Sequence, residues 1–216
     1  MILRRSSEAD LPALQALWQE VFGDPPAFTS KFYGVFGSDA AIVAVEDEKI
    51  VAMIHPLPVA LAQNRKYSFG VYIYALATDP PYRGRGIASR LLAEAECLPF
   101  SRIPKLLNAE TAGLTERSSL SPTFSLLIPG EESLFDYYRT RGYNRNACVI
   151  SQTSPDYCSH LAKGLEDQPI FLKPYEFFAF SEHMWEPVPP PTERGLWKAL
   201  TLNLTEQTPI LSHFMQ

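Results

Sequence analysis

The sequence predicts an α/β domain, and three observations carry that expectation. β-rich apolar runs, "AAIVAV" and "YSFGVYIYALAT", alternate with stretches of helical period such as "LPALQALWQEVF". A strand runs straight into a turn and a helix at "YALATDPPYRGRGIASRLL", Tyr74 to Leu92. The chain has 216 residues, 46% hydrophobic and 20% charged, which suits one large soluble domain or one and a half small ones.

The elements follow in order. "ILRR" (Ile2 to Arg5) reads as a short opening strand. Ser7 with Asp10 three residues later approximates a capping box. Leu11, Leu14, Leu17, Trp18, Val21 and Phe22 then recur at helical spacing, and Gly23 stops the helix. A second helix is expected in "PPAFTSKFYGVFG". "AAIVAVEDEKIVAMIHPL" reads as two strands joined at Asp47, Glu48 and Lys49. Pro56 and Pro58 predict that the second of these bends or lies at an edge. "YSFGVYIYALAT" suits a central strand buried on both faces. In "GIASRLLAEAEC", Ile87, Leu91, Leu92 and Ala95 share one helix face.

Downstream, Pro99 to Thr123 is polar and reads mostly as loop, with a short helix expected at "KLLNAETAGL". "FSLLIPG" is a short buried strand, and "EESLFDYYRTRGY" a helix closed by Gly142. "YNRNACVISQT" is a further strand. Beyond Ser154 the expected elements are a helix at "SPDYCSHLAKG", a strand at "PIFLKPYEFFAF", the extended connector "EPVPPPTE" and a final strand in "GLWKALTLNLTE". The predicted organisation is a domain over residues 1–150 and a C-terminal extension over 151–216 that completes strands or forms a small partial domain.

The formal net charge of −5 argues against general affinity for nucleic acid or an anionic membrane. No uncharged apolar run reaches membrane-spanning length, and "MILRRSSEADL" has no secretory pattern, so a cytoplasmic location is expected. Cys97, Cys148 and Cys158 form no C-x-x-C pair and are expected as free thiols, buried as small hydrophobes. His55, His160, His183 and His213 share no ligand spacing, so no metal site is expected. No G-x-S-x-G elbow occurs.

The chemistry concentrates at the turn "RGRGIA". A helix start leaves amide groups without intrahelical partners and with partial positive charge, ready for an anion. Gly84 and Gly86 lack Cβ and let an anion approach the backbone, while Arg83 and Arg85 add full charges. A phosphate or pyrophosphate is therefore the expected guest. A P-loop would need Lys-Ser or Lys-Thr where Ile87 and Ala88 stand. A dinucleotide fingerprint would need a third glycine where Ser89 stands.

Arg83-x-x-Gly86-x-Ala88 resembles the R/Q-x-x-G-x-G/A signature of the GCN5-related N-acetyltransferases. "LAT" followed by "DPPYR" is similar to that family's L-A-V-D-P-x-Y-R. "LLIPGEESLFDYYRTRGY" is similar to its fifth strand and fourth helix, which end in Y-x-x-x-G-F/Y. The resemblance runs from Ile2 to Ile150 in element order. It implies a mixed, mostly antiparallel central sheet flanked by helices. It also implies acetyl-coenzyme A as cosubstrate, with its pyrophosphate on the amides from Arg85 through Gly86, Ile87 and Ala88 to Ser89. Its pantetheine arm would lie along Leu76, Ala77 and Thr78. An amine would attack the thioester directly, and Tyr138 would be the general acid toward the leaving thiolate.

Tyr72, Tyr74, Asp79, Glu110 and Glu132 all stand as polar candidates near that chemistry, and spacing does not choose among them. The implied acceptor is a primary amine: a peptide N-terminus, a lysine, a polyamine or an aminoglycoside. Two alternatives stay open. One is a non-catalytic module that binds acyl-coenzyme A as a sensor, since no obvious base is present and Glu131 stands where the family often has Asn. The other is an assembly part whose C-terminal tail makes oligomer contacts, with apolar surface offered by "GLWKALTLNL" and a homodimer as one such assembly.

Overall fold

The structure is a computed structural model that describes residues 1–63, 66–98, 121–150, 170–172, 193–200 and 210–212. The chain divides into two compact units. The first holds Met1–Leu57 and Ile73–Leu98, the second Pro58–Tyr72 and Pro99–Gln216. Strands β3 (Lys49–Gln63) and β4 (Lys66–Thr78) contribute residues to both.

In the first unit, β1 (Ile2–Arg5) pairs antiparallel with β2 (Ile42–Glu46), with Ile2 opposite Val45 and Arg5 opposite Ile42. β2 pairs antiparallel with β3, and β3 neighbours β4. The β2–β3 turn is the two residues Asp47 and Glu48, with φ of 47° and 63°. Two consecutive left-handed residues match the right-handed twist of the flanking strands, which makes the predicted hairpin tight. Its buried residues run continuously, Ile42 to Ala44 on β2 and Ile50 to Ile54 on β3. Both sheet faces are covered, so the strands need no polar alternation.

Helices α1 (Leu11–Phe22) and α2 (Pro26–Phe36) bury Leu14, Leu17, Trp18, Phe28 and Phe32. Phe22, expected on the apolar face, is 43% exposed at the last turn of α1. Gly23 ends α1 in the left-handed region and donates its N–H to the Gln19 carbonyl at 2.9 Å.

A short 3-10 turn, Glu8–Asp10, precedes α1 and holds the expected capping arrangement. The Ser7 amide and hydroxyl both donate to Asp10 Oδ2 at 2.8 Å. Arg4 grips both carboxylate oxygens at 2.7 and 2.8 Å. The Arg4 hydrogen bonds, opposed by burial and helped by Ser7, hold the Asp10 carboxyl well below the ordinary carboxylate range. Asp10→Asn is expected to lower stability by about 1–2 kcal/mol near neutrality, discounted because Arg4 reaches solvent. A depressed folded pKa adds stability above the unfolded value of about 4 and loses it as the carboxyl protonates. The gap between wild type and variant should therefore close as pH falls below about 4, measured by urea unfolding across pH.

In the second unit, β5 (Phe124–Leu127), β6 (Arg145–Ile150), β7 (Ile170–Leu172), β8 (Glu193–Ala199) and β9 (Ile210–Ser212) join the distal parts of β3 and β4. The strand order is β4-β5-β8-β6-β9-β7, and β7 pairs antiparallel with β3, so the order returns to its start. β8 pairs antiparallel with both β5 and β6, whereas β9 runs parallel to β6 and β7. A strand late in the sequence thus fills the place between two earlier ones. Among the described residues, "PIFLKPYEFFAF" contributes only β7. The short helix expected at "KLLNAETAGL" and the helix at "SPDYCSHLAKG" lie outside the described residues.

Helix α4 (Ser133–Arg139) buries Phe135 and Tyr138. Gly142, with φ of 88°, follows it as expected. Gly70 on β4 faces the fully buried Phe124, and an added Cβ there would sit 2.5 Å from its ring carbons. Gly70→Ala is expected to cost about 2–3 kcal/mol through overpacking, read as a lower midpoint in urea.

One local expectation meets a different outcome. Cys97 is exposed, not a buried small hydrophobe. It closes helix α3 (Ile87–Cys97), whose Ile87, Leu91, Leu92 and Ala95 are buried as predicted. At about 100° per residue, Cys97 falls roughly opposite that face. β3 continues through Pro56 and Pro58. Its last pair with β2 is at Ile54 and its first with β7 at Ala60. Neither proline therefore has to donate to those ladders, which is the edge condition prolines require.

Candidate functional site

The turn after β4 is built by short-range bonds. Asp79 donates its N–H to the Val51 carbonyl at 2.9 Å, which ties the strand end to β3. A 3-10 turn, Pro80–Tyr82, follows, with Tyr82 N–H on the Asp79 carbonyl at 2.8 Å and Arg83 N–H on Pro80 at 3.2 Å. Gly84 and Gly86 then take φ of 77° and 75°. Both values are left-handed, where a side chain is strained. The first intrahelical bond of α3 joins Arg90 N–H to the Gly86 carbonyl at 3.2 Å.

Gly86 is the N-cap of α3 and offers no capping side chain. The amides of Ile87 and Ala88 precede the first intrahelical bond and point out along the axis. A Cβ placed on Gly84 or Gly86 would meet nothing within 4 Å. Both glycines border open space, so the backbone itself forms the surface of the turn. That fits an anionic diphosphate held by amides at the positive end of a helix.

The arginines are engaged elsewhere. Arg83 Nε donates to the Thr78 carbonyl at 3.0 Å, folding back over the strand end. Arg85 donates to both Glu46 carboxylate oxygens at 2.8 and 3.0 Å, and Glu46 raises its pKa. Lys49 donates to Asp79 Oδ2 at 2.7 Å. The Tyr82 ring lies 5.4 Å from both Lys49 Nζ and the Arg85 guanidinium carbon. Glu46 and Lys49 flank the β2–β3 turn, so two ion pairs bind that hairpin to the candidate turn. Each pair involves an exposed base and contributes little energy alone. Together they tether the β2–β3 hairpin to the turn after β4.

Upstream, Ala75 takes φ of 44°, a left-handed residue without glycine inside β4. Its carbonyl lies 3.4 Å from His55 Nδ1, and Tyr33 Oη lies 2.9 Å from His55 Nε2. His55 is fully buried, and desolvation pushes its pKa down to about 4. Burial raises the Tyr33 and Tyr74 phenols. Leu76, Ala77 and Thr78 follow directly, with Ala77 buried and the other two half-buried.

The first unit therefore gathers Leu76, Ala77, Thr78 and the run Arg83 to Ser89, all predicted from sequence. Tyr138 belongs to α4 in the second unit. It is buried, and desolvation raises its phenol to about 12. Its ring packs edge-on to Tyr137 and Tyr143, with centroids at 5.1 and 5.9 Å. Tyr143 is in turn held by Ser125, oxygen to oxygen at 2.6 Å.

Of the remaining polar candidates, Asp79 is buried against Lys49, Tyr72 is buried, and Glu132 is exposed at the start of α4. Glu110 lies outside the described residues. Sequence reading missed His55, Glu46 and Lys49. His55 carried one signal: a lone polar residue in the apolar run "VAMIHPL" must find buried partners. The ion pairs join residues 39 and 30 positions apart and left no local trace.

Residues 3–97 match the family model described as an acetyltransferase (GNAT) domain. No curated protein matches the sequence. The chain is similar in fold to a GCN5-related N-acetyltransferase from Anabaena variabilis at 14% identity and TM-score 0.50, covering 77% of this chain and 43% of that one. A second GCN5-related N-acetyltransferase, from Kribbella flavida, gives 13% identity and TM-score 0.51 over 86% of this chain and 50% of that one. A probable N-acyltransferase from Enterococcus faecalis gives 12% identity and TM-score 0.53 over 92% and 52%. The chain spans about half the length of these proteins. The predicted fold, a mostly antiparallel sheet flanked by helices, is the one they share. Among the described residues, no helix is long and apolar enough to cross a membrane.

Proposed function

We propose, for a chain with the GNAT fold and a GNAT domain match over residues 3–97, that it is an acetyl-coenzyme A-dependent N-acetyltransferase acting on a primary amine. One observation carries this reading. The two left-handed glycines open onto empty space directly before a helix that has no side-chain cap. A diphosphate is the ligand such a turn suits best.

The roles follow from position. Amides from Arg85 to Ser89 receive the pyrophosphate, and the backbone of Leu76, Ala77 and Thr78 receives the pantetheine arm. The bound cosubstrate supplies the thioester as acyl donor. As the amine nitrogen bonds the acyl carbon and the C–S bond breaks, Tyr138 would give its phenolic proton to the departing sulfur, and the proton lost from nitrogen would pass to solvent, from which the phenolate recovers its own; the raised pKa keeps the phenol protonated through the neutral range beforehand. Arg83 and Arg85 serve chiefly to shape the turn, since each already holds an oxygen partner.

Calorimetry with acetyl-coenzyme A tests the binding half, and micromolar affinity is expected. No heat at millimolar ligand rejects the proposal. Thiol release over a panel of amines tests the transfer half. One observation favours a second reading as a binding-only sensor: Asp79, the carboxylate at the end of the candidate strand, is buried and paired with Lys49. That reading expects binding with no thiol release from any amine.

A further inference from the structure

We propose that His55 is a positioning residue, backed by Tyr33, that holds the left-handed backbone at Ala75 within β4 and so directs Leu76–Thr78 toward the pantetheine arm. This rests on the coenzyme reading of those three residues.

The Ala75 carbonyl can only accept, so His55 Nδ1 carries the proton and donates to it at 3.4 Å. Neutral imidazole then has its lone pair on Nε2, which accepts the Tyr33 hydroxyl proton at 2.9 Å. One tautomer satisfies both contacts, and it is the neutral form that burial favours. The ring is fully buried, with Trp18 and Phe32 centroids at 4.9 and 5.1 Å. Tyr33 comes from α2, so a helix residue holds the far nitrogen of a β3 histidine whose tautomer the Ala75 carbonyl on β4 sets.

Ala75, with φ of 44°, sits in a conformation L residues rarely adopt. Such a residue persists where its surroundings over-determine it, and such residues concentrate at functional sites. The donor that meets its carbonyl is buried, rigid and tied at its other end. Immediately after Ala75 come Leu76, Ala77 and Thr78. Rotating Ala75 back to extended geometry would re-aim every carbonyl and amide of that segment.

The experiment has a ligand-free arm and a binding arm. Nitrogen-15 NMR of the imidazole in the ligand-free protein should show the Nδ1–H tautomer. The Nε2–H tautomer, or a charged ring at neutral pH, overturns the proposal whatever the protein binds. Calorimetry then compares wild type, His55→Leu and His55→Asn with two probes, coenzyme A and adenosine 3′,5′-bisphosphate, which lacks the pantetheine arm. His55→Leu should weaken coenzyme A about tenfold and leave the short probe unchanged. His55→Asn keeps a donor near the Nδ1 position and should recover most of the loss.

Equal weakening of both probes, or none, overturns the positioning role. If wild type binds neither probe, the functional reading fails. Amide hydrogen exchange at Leu76–Thr78 then decides positioning alone: faster exchange in His55→Leu supports it, and unchanged exchange overturns it. Should His55→Leu fail to fold, Tyr33→Phe substitutes, with faster exchange at the same three amides expected and unchanged exchange overturning the proposal.

Discussion

Gly86→Val is expected to weaken acetyl-coenzyme A binding at least about 100-fold, which corresponds to about 2.7 kcal/mol. Two effects combine. Gly86 has φ of 75°, and a β-branched residue there is strained, by upward of about 1–2 kcal/mol. The chain relieves the strain by rotating the backbone, which turns the following amides away from the helix axis. Losing one or two hydrogen bonds to a charged phosphate then accounts for the affinity change. The added side chain also occupies the open space that Gly86 faces. Calorimetry on Gly86→Val, beside a urea unfolding curve, separates the contributions. A folded variant that binds as wild type does would remove the turn from the proposed site.

Tyr138→Phe should lower kcat about 100-fold with little change in coenzyme affinity. General acid catalysis contributes on that order, and the substitution deletes one oxygen while leaving the ring. The ring is what α4 uses structurally, through its edge-on packing with Tyr137 and Tyr143. Stability should therefore fall little. The shift of the phenol to about 12 has a definite sign in kinetics: Tyr138 stays protonated below that pH, so its own ionisation should not reduce kcat between pH 6 and 10. Stopped-time thiol assays across that range test both points. Unchanged kcat in Tyr138→Phe would assign the residue to packing, with its conserved volume explaining the outcome.

Much of the architecture could be read from residue patterns. The face Ile87, Leu91, Leu92 and Ala95 is buried as a unit because helical period is a local property. The hairpin at Asp47 and Glu48 formed because a two-residue turn needs only two permissive residues between paired strands. The left-handed turn at Gly84 and Gly86 was legible for the same reason: two glycines and a helix start are adjacent in sequence. Strand order was not legible. β8 lies between β5 and β6, and β9 runs parallel to β6, because ladder partners are chosen by burial over long separations.

The same division runs through the candidate site. Sequence by itself determined that the backbone before α3 could turn left-handed, as the proposed anion site needs, since Gly84 and Gly86 lack the Cβ that disfavours a positive φ. Only the tertiary structure decided what the charged and polar groups around it do. Arg83 and Arg85 read as phosphate ligands until Thr78 and Glu46 stood within reach of them. His55 read as an isolated histidine until Tyr33 and the Ala75 carbonyl closed on its two nitrogens. Charge and hydrogen bonding act on whatever is near in space, and for these residues the partners come mostly from other segments of the chain.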